Sequence, residues 1–173
     1  MQPEIIGAII GGVFGVIGSV ATQCVKQLHE GHARRVAKLR AVDREIYEKV
    51  RLILSDDAMH QLDTLEAYIG FPDWLWQDLR KFEYGFSDHA PNFQSRKLER
   101  TFKALRESVQ AFLLLASGAC VLHTDRWRTL PRNYASHDKQ RFRMEAAPVD
   151  AAAKRAHKAA QEFITLAKKL LRA

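Results

Sequence analysis

Cysteine is nearly missing from this chain: Cys24 and Cys120 are the only two in 173 residues, far apart and in dissimilar surroundings. That excludes a disulfide framework and a cysteine-rich zinc site, and it suits a reducing cytosol. A phosphate-binding loop is missing too, because the one glycine cluster is not followed by Gly-Lys-Ser/Thr. The zinc-protease pattern is likewise absent. In His29-Glu30-Gly31-His32 the histidines stand three apart rather than four, with no third ligand nearby in sequence. Glycine and proline are few, at 9 and 5 residues, and 47% of the chain is hydrophobic. Wholesale disorder is therefore excluded, and the length suits one ordinary domain with an appendage.

Charge is absent from one long stretch. From Ile5 to Val25 there are 21 residues without a charged side chain. At about 1.5 Å per helical residue this matches the roughly 30 Å hydrocarbon core of a bilayer. The preceding Met-Gln-Pro-Glu has no Lys or Arg, as a cleaved secretory signal would need. The basic residues follow instead, at Lys26, Arg34, Arg35, Lys38 and Arg40. Under the positive-inside rule this flank stays cytoplasmic. The expectation is an uncleaved anchor in the cell (inner) membrane, with a short N-terminus outside and the C-terminal domain in the cytoplasm. Arg34, Arg35 and Lys38 would then reach anionic headgroups, although setting the topology is explanation enough for them.

Five of the nine glycines crowd into that stretch. At about 100° per residue, Gly7, Gly11, Gly15, Gly18 and Thr22 share one narrow face, which Ser19, Ala8 and Gly12 widen. Isoleucines and valines occupy the opposite side. Small residues let two helix backbones approach closely where lipid offers no hydrophobic incentive. The face reads as a glycine zipper against a second copy, hence a homo-oligomer. A plain tether with incidental glycines is the alternative.

The remaining chain has helical spacing and no visible strand pair. The spacing predicts an amphipathic juxtamembrane helix over 26–54, with Val36, Leu39, Val42 (or Asp43), Ile46, Val50 and Ile53 on one face. A second helix should start at Ser55 and stop near Ile69–Gly70, and a third should follow Pro72. Ser95 should cap the longest helix of the body, running into the apolar end 111–122. A last helix should begin at Pro148 and pack through its alanines. The expected fold is all-α: a transmembrane segment within 1–25, the juxtamembrane helix, and a cytoplasmic bundle of about four helices filling out 55–173. This layout resembles small bacterial membrane proteins with a cytoplasmic helical domain, in architecture alone.

Net charge is +7 but unevenly spread. Residues 55–90 carry 2 basic against 8 acidic side chains, whereas 91–173 carry 17 against 7. The connection 124–148 concentrates Arg126, Arg128, Arg132, Arg141 and Arg143 with Trp127 and Tyr134 interleaved. Arginine forks with aromatic rings suit an anionic ligand, a nucleic acid or a cytoplasmic protein partner. The competing reading docks this loop on the acidic 55–90 segment. Ser87-Asp88-His89 and Ser136-His137-Asp138 are contiguous, whereas catalytic triads assemble from distant segments, so both read as turn residues. No catalytic residue, metal or cofactor is expected. The sequence therefore points to a non-enzymatic, self-associating membrane protein presenting a helical interaction domain. The alternatives are a channel-forming or membrane-disrupting effector of the toxin or anti-phage type and, more weakly, a membrane-tethered nucleotide or nucleic-acid binder.

Overall fold

The computed structural model describes residues 30–86, 92–124, 126–131 and 139–171. The expected transmembrane helix, with Gly7, Gly11, Gly15, Gly18, Ser19 and Thr22, lies outside the described residues. Both Ser-Asp-His clusters lie outside them as well. Among the described residues, 80% are helical, and no helix is long and apolar enough to cross a membrane. Two compact units divide the chain, Met1–Ala41 and Val42–Ala173. In the first, residues 30–41 are helical, with Arg34, Arg35 and Lys38 exposed. Helical backbone continues to residue 53, and the whole run 30–53 is α1.

The second unit is built on two long helices, α4 (Arg96–Ala119) and α5 (Lys139–Leu171), which pack extensively on each other. Shorter α2 (Asp56–Thr64) lies on α5, and α3 (Asp73–Gly85) lies on α4. Residues 42–54 complete the core through Ile46, Tyr47, Val50 and Leu54. On α5, Phe142, Ala146, Val149, Ala153, Ala156, Ala160, Phe163 and Ala167 are buried at steps of three and four. Their small side chains bring the α4 backbone close. Phe102 on α4 is the hub of an aromatic cluster, with ring centroids of Phe93, Phe163, Phe86 and Phe82 at 5.1, 5.5, 5.3 and 5.8 Å.

Four features depart from the sequence expectation. First, strands are present. β1 (Phe71–Pro72), β2 (Val121–Thr124) and β3 (Trp127–Thr129) form an antiparallel sheet in the order β1-β3-β2. The apolar run 111–122 is therefore not all helix: α4 ends at Ala119, and Cys120 is extended, leading into the β-branched Val121. Second, α2 ends at Thr64 rather than near Ile69. Residues 65–70 turn back, with the N–H groups of Ile69 and Gly70 both donating to the Glu66 carbonyl.

Third, Pro148 lies inside α5 instead of opening it. Pro148 is exposed while Ala146 and Val149 are buried, so the missing N–H falls on the solvent side. The carbonyl it leaves without an intrahelical donor there can bond water. Fourth, the longest body helix is α5, with 33 residues, and not the 24-residue α4.

Buried charge fixes how α4 begins. The Ser95 side chain makes no capping bond. Instead Asp43 of α1, 3% exposed, accepts from the Gln94 and Ser95 N–H groups at 2.6 and 3.1 Å. Glu99 accepts from the Phe93 N–H at 2.8 Å. Three consecutive backbone donors thus point at two carboxylates near the positive end of the α4 dipole. Asp43→Ala leaves two donors unsatisfied and should lower stability by about 3 kcal/mol. Asp43→Asn should cost nearly as much, because one end of its amide is a donor facing a donor. Urea unfolding of the two variants checks this, and an Asn variant as stable as the parent would contradict it.

Candidate functional site

The three-stranded sheet brings part of the basic, aromatic segment together at one end of the second unit. Phe71 pairs with Arg128 and Pro72 with Trp127, and Leu122 and Thr124 flank β3 on its other side. Arg128 Nε meets Asp73 Oδ1 at 2.5 Å, and the Arg128 guanidinium lies over Trp76, 4.5 Å from the ring centroid. Both side chains of this ion pair are largely buried. Asp73 opens α3, where a carboxylate suits the helix dipole. Its own N–H donates to the Arg126 carbonyl at 2.9 Å. The Trp127 indole N–H donates to the Ile69 carbonyl at 3.2 Å.

Arg128 is therefore engaged inside the fold, docked on the acidic segment. Arg126, Trp127 and Arg143 are exposed. Arg143 stands on α5, near enough to Tyr68 for its charge to act on the phenol. Arg132 and Tyr134 lie outside the described residues, as does the Arg141 side chain. The structure thus gathers Arg126, Trp127 and Arg128 on one hairpin, with Arg143 beside the 65–70 turn that the hairpin covers.

That turn carries polar strain and polar support together. Gly70 has φ +103°, and a Cβ placed there would fall 2.6 Å from the Arg128 carbonyl oxygen and closer still to the Trp127 indole. Only glycine fits. The Ala67 N–H donates to Asp150 Oδ1 at 2.7 Å. Burial holds the Asp150 carboxyl above its ordinary value; the Ala67 bond opposes this and the Glu66 charge reinforces it. A hydrogen bond to Glu66 likewise raises the Tyr68 phenol.

Two clefts lie elsewhere, and sequence spacing signals neither. A groove of about 410 Å³ between α3 and α4 is lined by Arg80, Glu83, Glu107, Gln110, Leu114 and Ser117, among others. Arg80 stacks over Tyr84 at 4.9 Å and donates to its hydroxyl, while its buried Nε has no partner among the described residues. A second cleft, of about 300 Å³, holds His157, Gln161, Thr165 and Lys168 of α5 with Arg51 and Asp56. His157 Nδ1 lies 3.1 Å from Asp63. The nearest hydroxyl on that face, Thr165, is eight residues along the helix, about 12 Å from His157 at 1.5 Å per residue, beyond hydrogen-bond reach.

Among the described residues no group of three or more metal-binding side chains occurs. Cys120 is buried, and that burial pushes its thiol up to about 11, away from nucleophilic use. Compared with protein-family models, with curated proteins and with solved structures, the chain matches none.

Two variants test the turn. Gly70→Ala should cost about 2 kcal/mol and shift tryptophan emission, since either φ or the Trp127 indole must move. Asp150 has its folded carboxyl raised, so its contribution is most favourable below the unfolded value near 3.8 and declines as pH rises through the folded value. Asp150→Asn keeps an acceptor for Ala67 without the charge. It should be at least as stable as the parent at pH 7, with a flatter pH profile across the acid range. Asp150→Ala should lose about 1 kcal/mol. Denaturant unfolding from pH 3 to pH 8 separates these outcomes.

Proposed function

We propose that this chain is a single-pass membrane protein that self-associates through the glycine face of residues 5–25 and presents a helical interaction domain to the cytoplasm. The observation that carries the reading is the charge-free run from Ile5 to Val25 with Gly7, Gly11, Gly15 and Ser19 spaced four apart. Its basic flank, at Lys26, Arg34, Arg35 and Lys38, supports the orientation with the body inside.

The protein works by contact and not by catalysis. Supporting this, the His157–Asp63 pair has no nucleophile beside it, and the thiol of Cys120 is held protonated. The hairpin end, with Arg126, Trp127 and Arg143 exposed, is the surface offered to a cytoplasmic protein or an anionic ligand.

Changing Gly11 and Gly15 together to Ile should abolish the oligomers that crosslinking captures in membranes or mild detergent, while the chain stays in the membrane fraction. Crosslinked species unchanged in the double variant would overturn the self-association. Loss of the parent chain from membranes on alkaline carbonate washing would overturn the anchor.

A further inference from the structure

We infer that the hairpin end of the second unit rests on the phospholipid surface, its exposed aromatic side chains seated among the headgroups. Four large apolar side chains crowd this end: Tyr68 (46% exposed), Ile69 (57%), Trp74 (42%) and Trp127 (37%). They are contiguous in the fold. Ile69 accepts the Trp127 indole proton, Pro72 pairs with Trp127, and Trp74 stands in the first turn of α3, next to the Asp73–Arg126 backbone bond.

Indole and phenol rings with one polar edge favour the membrane–water boundary over both water and hydrocarbon. Arg126 and Arg143 beside them are exposed and match phosphate groups. Glu66 partly balances that charge, so the rings and not the arginines lead the contact.

What says that lipid covers this face is the length of the tether, and here the inference rests on the anchor reading. Sixteen residues separate Val25 from Val42. Even fully extended they span no more than about 55 Å. A domain of 132 residues (Val42–Ala173) is roughly 35 Å across. The bilayer is thus within reach of the domain at all times, at a local concentration that no free partner matches.

Tryptophan reports this contact directly, because the chain's three tryptophans, Trp74, Trp76 and Trp127, all lie outside the anchor stretch. The full chain is reconstituted in phosphatidylcholine vesicles whose acyl chains carry bromine near the headgroup, and emission quenching is read against unlabelled vesicles. About half of the emission should be quenched, with weaker quenching when the bromine sits deeper. Trp74→Phe should reduce the quenching and Trp76→Phe should preserve it, because Trp76 is buried. Ile69→Asp removes no fluorophore and should also reduce it.

A chain that floats with the vesicles after carbonate washing but shows no quenching keeps the anchor and overturns the docking. Emission that changes with protein density and not with lipid bromination marks contact between copies, which also overturns it. A chain stripped from the vesicles overturns both readings.

Discussion

Asp43 decides where the largest helix pair begins. A carboxylate that is 3% exposed has lost nearly all its water, and such a loss is tolerable only when its oxygens are filled. The Gln94 and Ser95 N–H groups fill them. Because these donors immediately precede α4, the bond fixes the start of that helix against α1, and the Glu99 bond to Phe93 extends the hold by one residue. Phe93 is thereby carried into contact with Phe102 and Phe163, so one polar clamp sets the register of the aromatic cluster joining α4 and α5. Without it, two buried donors and a buried charge would stand unpaired.

The same device recurs at the opposite end of the unit. Asp150 takes the Ala67 N–H, and Asp73 takes Arg128 while its own backbone ties down Arg126. In a chain with 27 basic and 20 acidic residues, several acids are thus committed to holding loops in place. Basic side chains such as Arg126 and Arg143 are left at the surface. The acidic 55–90 segment balances the basic C-terminal part through one specific pair, Asp73 with Arg128, rather than as a diffuse cloud. Stacking that pair on Trp76 keeps it largely out of water, where it gains directionality more than net stability.

Helices were legible in the sequence wherever an apolar stripe ran longer than three turns. The faces of α3, α4 and α5 follow from Leu75, Leu79 and Phe82, from Leu98, Phe102, Leu105 and Val109, and from the alanines after Ala152. Short elements were not legible. β1 is two residues long and its partner three, too few for an alternation to be distinguished from a loop. Pro148 misled because the helix-start preference of proline is strong, yet Phe142 and Ala146 already continue the buried stripe upstream of it. Asp43 was visible only as an alternative to Val42 on the α1 face, since its partners lie more than 50 residues away. For the site, the basic and aromatic composition was apparent, but composition does not say that Arg128 turns inward while Trp127 and Arg126 stay out. That division follows from sheet pairing, in which neighbouring residues face opposite sides.

Trp74 and Trp76 show why the hairpin end stands apart from an ordinary surface. Two residues apart on α3, they lie about 200° around the helix from each other, so only one can face the core. Trp76 does, and carries Arg128; Trp74 remains in solvent with nothing inside the fold to use it. On the far side of the sheet, Val121 and Leu122 are also half exposed, but they sit on the edge strand β2, whose register breaks between Leu122 and Thr124. Such an irregularity bends the edge away from a regular partner strand and limits extension of the sheet by backbone pairing. What this end offers is consequently side chains rather than an open ladder: indole, phenol and isoleucine around a turn whose shape Gly70 locks. A surface of that kind takes a partner that accepts rings at variable depth and demands no strand register, and a layer of phospholipid headgroups meets both conditions.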